Sequence, residues 1–256
     1  MDWRVGSGRR SRTYVTLVSD AAGRSELLEH RWSWYADGDQ WAVTLGHPDR
    51  PAEGIGGIGR IHSHADTLAC FGCHATAVPV EQGQIEPERI VPGIRCDRCH
   101  RNATQHATAV RRGQRDATVE RLGSLSPLES VNRCGECHRR ADQLAPDELV
   151  PTNLQLVRFA GAALVQSPCF KMSRSDRPLT CLTCHDPHGP AETDPLEYAA
   201  QCGNCHTGRS SDAPRCSAER STANCIACHM PKLQVAPHLE FTDHWIRVRS
   251  RRGAPL

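Results

Sequence analysis

One five-residue pattern, Cys-x-x-Cys-His, occurs six times in this sequence and constrains the fold more than any other feature. In chain order the copies, called motifs 1 to 6, begin at Cys70, Cys96, Cys134, Cys181, Cys202 and Cys225. With 14 Cys and 14 His in 256 residues, a random order of this composition would contain about 0.04 such pentads. The pattern is the attachment signature of c-type haem. We therefore expect six covalently bound haem c groups.

Each motif predicts a complete set of haem contacts on one side of the porphyrin. The two sulfurs form thioethers with the haem vinyl groups, and the His binds the iron as its proximal ligand. Paired cysteines also form zinc sites or disulfides, but neither requires a His directly after every second Cys. The predicted haem-binding residues are Cys70, Cys73, His74, Cys96, Cys99, His100, Cys134, Cys137, His138, Cys181, Cys184, His185, Cys202, Cys205, His206, Cys225, Cys228 and His229.

The ligand on the opposite side of each iron, the distal ligand, distinguishes an electron carrier from an enzyme. Eight histidines lie outside the motifs, enough to give all six haems a second His and a low-spin iron suited to electron transfer. We favour His106, His188 and His244 as distal ligands, followed by His238 and His64. His30, His47 and His62 rank last.

Residues 1–60 contain no Cys and predict a small β-meander. A β-branched and aromatic run at 14–18 predicts one strand, and runs at 32–35 and 41–45 flank Asp37-Gly38 as a hairpin would. Residues 51–59 are rich in Gly and Pro and predict a linker. We expect a hexahaem domain over 61–245 and a basic tail over 246–256.

Two short helices are predicted to run directly into haem motifs. Ser126-Pro127-Leu128-Glu129 and Asp194-Pro195-Leu196-Glu197 each combine an N-cap residue, a Pro at the first helical position and a Glu at the third. The unequal spacing of the motifs excludes a solenoid repeat. Aromatic residues make up only 5% of the chain and the mean hydropathy is −0.52. A thin protein core filled out by porphyrin is expected.

Charge and hydropathy restrict the partners. A net charge of +2 favours neither nucleic acid nor anionic lipid, and six haems would shift it to roughly −4 when oxidised and −10 when reduced. No apolar run is long enough to span a bilayer, and residues 1–10 have no signal-peptide core. Because c-type haem is attached outside the cytoplasmic membrane, we expect a periplasmic or extracellular protein whose export signal is not part of this chain. Redox proteins or neighbouring cytochrome subunits are the expected partners, and an oligomer is compatible with the sequence.

A few further residues carry open alternatives. Cys169 and Cys216 could form a disulfide or remain reduced packing thiols. Met172 and Met230 are interpreted as packing residues. The C-terminal basic cluster is interpreted either as a solvated tail or as arginines that pair with haem propionates or an acidic partner; it consists of Arg247, Arg249, Arg251 and Arg252.

Several segments resemble one family of bacterial multihaem cytochromes, which includes the tetrahaem carrier of ammonia oxidisers and, more distantly, hydroxylamine oxidoreductase and pentahaem nitrite reductase. The matching segments are 5–10 with 34–35, 96–100 with His106, 167–170, 181–188, and 225–232 with 242–247. The resemblance implies closely stacked haems, short helices with much irregular chain, an exported setting, and distal roles for His106, His188 and His244. Two features usual in the family are missing, an opening haem motif near the start and, in some members, helical repeats.

The sequence therefore favours an electron relay through six haems. One alternative is a redox enzyme acting on a small nitrogen or sulfur compound at a five-coordinate haem. Another is a subunit of a conductive cytochrome filament. No Cys-x-x-Cys-Lys variant is present, so no residue is predicted to be catalytic.

Overall fold

The computed structural model describes residues 2–6, 9–115, 118–174, 176–206 and 224–249. The chain divides into two compact units. Unit 1 comprises Met1–Glu120 and Ala236–Leu239, and unit 2 comprises Arg121–Val235 and Glu240–Leu256. The predicted hexahaem domain, with boundaries at residues 60 and 245, is defined by haem attachment and stays a prediction.

Unit 1 begins with an antiparallel sheet. Its strands are β1 (Asp2–Val5), β2 (Ser11–Ser19), β3 (Ser25–Tyr35), β4 (Gln40–Val43) and β5 (Gly59–His62). The strands β1 to β4 lie in sequence order, and β5 pairs with the first half of β3 while β4 pairs with its second half. A small N-terminal β-meander was predicted, and the order of β1 to β4 confirms it.

The hairpin around Asp37-Gly38 is present, with Trp34 opposite Trp41. The linker predicted over 51–59 is wrong in its second half, where α1 (Ile55–Ile58) leads directly into β5. Gly59 enters the sheet because it has no side chain: a Cβ there would lie 2.2 Å from the carbonyl oxygen of Glu29. Composition alone predicted a linker, whereas the missing side chain of Gly59 permits a close strand contact.

The helix α2 (His64–His74) packs against the inner face of this sheet and carries motif 1. Ser63 caps its start by accepting the backbone N–H of Asp66 at 3.2 Å. Phe71 of α2 lies in a core with Val15 and Leu27, and its ring meets Trp3 edge-on at 5.9 Å between centroids. The sheet therefore fixes the position of the helix that bears the first haem site.

Short elements make up the rest of unit 1. They are β6 (Ala75–Ala77), β7 (Val80–Glu81), β8 (Gln84–Ile85), a 3-10 turn (Pro87–Arg89), β9 (Val91–Pro92), α3 (Cys96–Cys99) and α4 (Ala103–Arg111). Antiparallel pairing joins β6 to β9 and β7 to β8.

The described part of unit 2 consists of short helices and one hairpin. Its α-helices are α5 (Pro127–His138), α6 (Ala160–Leu164), α7 (Pro168–Lys171), α8 (Pro195–His206) and α9 (Cys225–His229). The 3-10 turns are Leu122–Ser124, Ala141–Gln143, Leu154–Arg158 and Cys181–Thr183. The hairpin is formed by β10 (Lys232–Ala236) and β11 (Leu239–Thr242), whose turn groups with unit 1. Among the described residues, the helices are too short or too polar to cross a bilayer.

Both predicted helices, α5 and α8, are present and end at the His of a haem motif. Ser126 and Glu129 form a reciprocal capping box at the start of α5. The carboxylate of Asp194 accepts the backbone N–H of Leu196 at 2.8 Å at the start of α8. These local signals could be read from the sequence because each involves residues within one turn.

Candidate haem sites

All six motifs lie on helical turns. Motifs 1, 3 and 5 form the last turns of α2, α5 and α8, and motif 6 forms α9. Motifs 2 and 4 begin in α3 and in the 3-10 turn Cys181–Thr183 and end just beyond them. In motifs 2 and 4 the backbone N–H of the His donates to the carbonyl of the first Cys, at 2.8 Å for His100 and 2.9 Å for His185. Residues i, i+3 and i+4 of such a turn share one face. Each turn can therefore present two sulfurs and an imidazole to the same side of a porphyrin.

Two proximal histidines have their ring orientation fixed by the backbone. The Nδ1 of His100 donates to the carbonyl of Glu120 at 2.5 Å, and the Nδ1 of His229 donates to the carbonyl of Arg247 at 3.0 Å. A carbonyl can only accept, so these bonds place the proton on Nδ1 and leave Nε2 as a lone-pair donor. This arrangement is typical of metal-binding histidines.

Two predicted distal ligands show the same arrangement. The Nδ1 of His64 donates to the carbonyl of Ser25 at 2.8 Å, and the Nδ1 of His244 donates to the carbonyl of Thr242 at 2.9 Å. Burial lowers the pKa of His244, which favours the neutral imidazole that binds metal. The geometry of both residues fits their predicted role as iron ligands.

The three lowest-ranked histidines differ, because each uses Nε2 within the protein. The Nε2 of His30 lies 2.8 Å from the hydroxyl of Thr16. The Nε2 atoms of His47 and His62 both lie 3.2 Å from the same carboxylate oxygen of Glu29. These contacts engage Nε2, whereas the contacts of His64, His229 and His244 described above involve Nδ1.

In unit 2, motif 4 faces a predicted distal ligand. The ring centroids of His185 and His244 lie 6.2 Å apart. Two imidazoles that bind one metal through nitrogens ~2 Å from it have centroids ~6 Å apart. Motif 4 and the segment after β11 therefore leave the space that one six-coordinate iron requires.

The first cysteines of neighbouring motifs also meet in unit 2. The thiols of Cys134 and Cys181 are hydrogen-bonded, which lowers the pKa of Cys134 to about 7 and, together with burial, raises that of Cys181. Cys202 and Cys225 are hydrogen-bonded in the same way, although burial contributes most to the raised pKa of Cys202, about 11. Motifs 3 and 4 are thus adjacent, and so are motifs 5 and 6.

The other predicted distal ligands have different surroundings. His238 lies at the hairpin turn, with Nδ1 3.3 Å from a carboxylate oxygen of Asp37 and its ring 5.4 Å from that of Tyr35. His188 is exposed, and its Nδ1 lies 3.5 Å from Asp186. His106 is half-buried on α4. Which haem each residue serves stays a prediction.

The solvated-tail interpretation of the basic cluster is wrong for its first two members. Arg247 and Arg249 are each only 11% exposed and both bind the buried carboxylate of Asp243. The sequence did not single out Asp243, although it lies within the Thr-Asp-His segment and four residues before Arg247. Arg251 and Arg252 lie outside the described residues.

The remaining sequence interpretations concern two methionines and the two cysteines outside the motifs. Met172, taken as a packing residue, is 72% exposed because it lies just beyond the end of α7. Met230 is half-buried. Burial raises the pKa of the Cys169 thiol, while Cys216 lies outside the described residues, so the disulfide between them stays a prediction.

A comparison with protein families finds a match over residues 49–101, which contain motifs 1 and 2. The matching family is described as cytochrome c554 and c-prime. No curated protein sequence matches the chain.

The fold is similar to that of a solved protein, the outer cell wall cytochrome OcwA. The TM-score is 0.50 at 15% sequence identity, over 93% of this chain and 65% of the OcwA chain. The present chain thus spans about two thirds of the length of OcwA, and at this identity the likeness concerns the fold alone. The family match over residues 49–101 and the similar fold support a relationship to multihaem c-type cytochromes.

Proposed function

We propose that this protein transfers electrons through six covalently bound haem c groups that form a relay between redox partners. The observation that carries the proposal is the 6.2 Å separation of the His185 and His244 rings. A haem held between two histidines has no vacant iron position and changes its ligation little between oxidation states. Such a site suits electron transfer better than binding of a substrate to the iron.

The remaining described geometry supports more than one such site. His64 and His244, like the proximal His229, direct Nδ1 to a carbonyl, and this tautomer has the Nε2 lone pair that coordination requires. Haem supplies one-electron chemistry at each position. The protein orients the imidazoles and supplies the hydrogen bonds that tune the reduction potential.

The adjacency of motifs 3 and 4, and of motifs 5 and 6, supports a relay. The thiols of Cys134 and Cys181 touch, as do those of Cys202 and Cys225. Two porphyrins attached through neighbouring sulfurs must themselves be neighbours, because each thioether joins the ring edge directly. The proposal includes close stacking of these haems, which the adjacency of the motifs supports.

The proposed location is outside the cytoplasmic membrane, in the periplasm or at the cell exterior. Covalent haem attachment supports this setting, and the similar fold of OcwA, an outer cell wall cytochrome, agrees with it. The proposed partners are redox proteins or neighbouring cytochrome subunits.

Two measurements on the purified holoprotein test the proposal. A pyridine haemochrome assay should give six haems per chain. Low-temperature electron paramagnetic resonance of the oxidised protein should show low-spin ferric signals alone. A high-spin signal of about one haem equivalent would contradict the relay of six-coordinate haems and favour a ligand-binding or catalytic haem.

A further inference from the structure

Unit 2 contains a half-open pocket of about 320 Å³ that no haem motif lines. Its walls come from residues 150–157, from β10 and from the segment after β11. Leu154, Val157, Leu233 and Trp245 make much of the lining apolar. A volume near 300 Å³ is at the lower end of the range for pockets that bind small molecules.

One side of the pocket carries an unbalanced group of charges. Asp243 is 2% exposed, and one of its carboxylate oxygens accepts from Arg247 at 3.0 Å and from Arg249. Its other oxygen accepts the backbone N–H of Trp245 at 2.8 Å. Two guanidinium groups thus share one carboxylate and leave a net charge of +1. Burying an uncompensated charge is costly, so a second anion would stabilise this arrangement.

The arginines also retain unused donors. The Nε atoms of Arg247 and Arg249 are buried and have no hydrogen-bond partner among the residues that the structure describes. The remaining donors of Arg247 reach the carbonyls of Trp245 at 2.9 Å and Pro151 at 3.3 Å. A guanidinium presents Nε and Nη as a fork that matches the two oxygens of a carboxylate. If the arginines served only to neutralise Asp243, one of them would suffice and the second Nε would not need burial.

We propose that this pocket binds a second carboxylate, carried on an apolar body, through Arg249 and Arg247. Two sources supply that chemistry: a propionate of one of the protein's own haems, or a diffusible organic carboxylate. The first source rests on the proposed function. His229 of motif 6 donates to the carbonyl of Arg247, and His244 directly follows Asp243, so two candidate haem ligands belong to the same segment.

The test uses the holoprotein and the variants Arg249→Gln, Arg249→Lys and Arg158→Gln. Arg158 is an exposed arginine in unit 2 outside the pocket lining and provides the matched control. Haem content and the far-ultraviolet circular dichroism melt establish that each variant is folded and loaded. Redox titration then resolves the haem potentials, and calorimetry measures the binding of benzoate, with neutral benzamide as control.

If a haem propionate is bound, Arg249→Gln lowers the potential of one haem, because removal of a positive charge next to the haem favours the ferric state. Arg249→Lys restores part of the shift, Arg158→Gln leaves the potentials unchanged, and benzoate does not bind. If the source is diffusible, wild type binds benzoate but not benzamide, and Arg249→Gln weakens binding at least tenfold.

Unchanged potentials together with no benzoate binding would overturn the proposal. That result is distinguishable from failure of the proposed function, because the six-haem count and the low-spin signals would persist. Conversely, a low haem count would sink the relay while benzoate binding could still establish the carboxylate site.

Discussion

The imidazole planes of His185 and His244 are inclined by 38°, and their centroids are 6.2 Å apart. His185 is the last residue of motif 4, and His244 follows the final strand of unit 2. The Nδ1 of His244 donates to the carbonyl of Thr242 at 2.9 Å, which orients the ring and leaves the lone pair on Nε2. We therefore predict that His244 is the distal ligand of the haem attached at motif 4.

Replacing His244 with Ala should open one iron position. We expect one of the ferric haems to change from low-spin to high-spin while the covalent haem count stays the same, because the thioethers of motif 4 are untouched. Electron paramagnetic resonance and the binding of cyanide report the change. Added imidazole should restore the low-spin signal.

His30→Ala is the matched control for that experiment. Its Nε2 lies 2.8 Å from the Thr16 hydroxyl, so it is not available to iron. The control should keep wild-type spectra. If His244→Ala also stays entirely low-spin, the assignment of His244 to an iron is wrong.

The cap of α5 gives a second prediction. Ser126→Ala removes the hydroxyl that accepts the Glu129 backbone N–H and donates to its carboxylate. We expect a loss of about 1 kcal/mol in the free energy of unfolding, typical of an N-cap substitution. Denaturant titration followed by circular dichroism measures it. Ser124→Ala, whose hydroxyl donates to the carbonyl of Arg121 outside any α-helix, should cost less; an equal loss for both would exclude a specific cap effect.

The sequence predicted those features that depend on neighbouring residues. The caps of α5 and α8 and the helical turns of the motifs follow from spacings of three or four residues. The strand β5 could not be predicted in this way, because its pairing with β3 depends on the backbone contact between Gly59 and Glu29.

The sites show the same division between local and distant contacts. Cys-x-x-Cys-His spacing predicts the attachment turns, but the pairing of His185 with His244 joins parts of the chain far apart in sequence. The burial of the first two arginines of the basic cluster could not be predicted from sequence either, because it depends on tertiary structure. Arginine side chains are usually solvated, but the buried Asp243 binds both Arg247 and Arg249 inside unit 2.

The close approach of β5 to β3 gives a third prediction. Gly59→Ala places a Cβ 2.2 Å from the carbonyl oxygen of Glu29, so the strands must separate. We expect the free energy of unfolding to fall by about 1–3 kcal/mol, as for other overpacked sites. Thermal unfolding followed by circular dichroism checks this value. Gly123→Ala meets no atom within 4 Å and should leave the melt nearly unchanged; equal stability of the two variants would contradict the tight contact.

The buried His47, which lies next to Glu29, predicts how the free energy of unfolding depends on pH. His47 has a side chain only 2% exposed, and burial lowers its pKa below 6.5, with Glu29 opposing the shift and Arg60 and Arg31 adding to it. Between the lowered pKa and 6.5, the unfolded chain binds more protons at this residue than the folded protein does. The contribution of His47 to stability therefore falls as the pH decreases through this window.

His47→Gln should remove that contribution. The free energy of unfolding of the variant should vary less between about pH 7 and about pH 5 than that of wild type, because no proton binds on unfolding at this position. Denaturant titrations of the holoprotein at several pH values, followed by circular dichroism, measure the difference. A slope for His47→Gln as steep as that of wild type would show that the buried His47 is not the group that titrates.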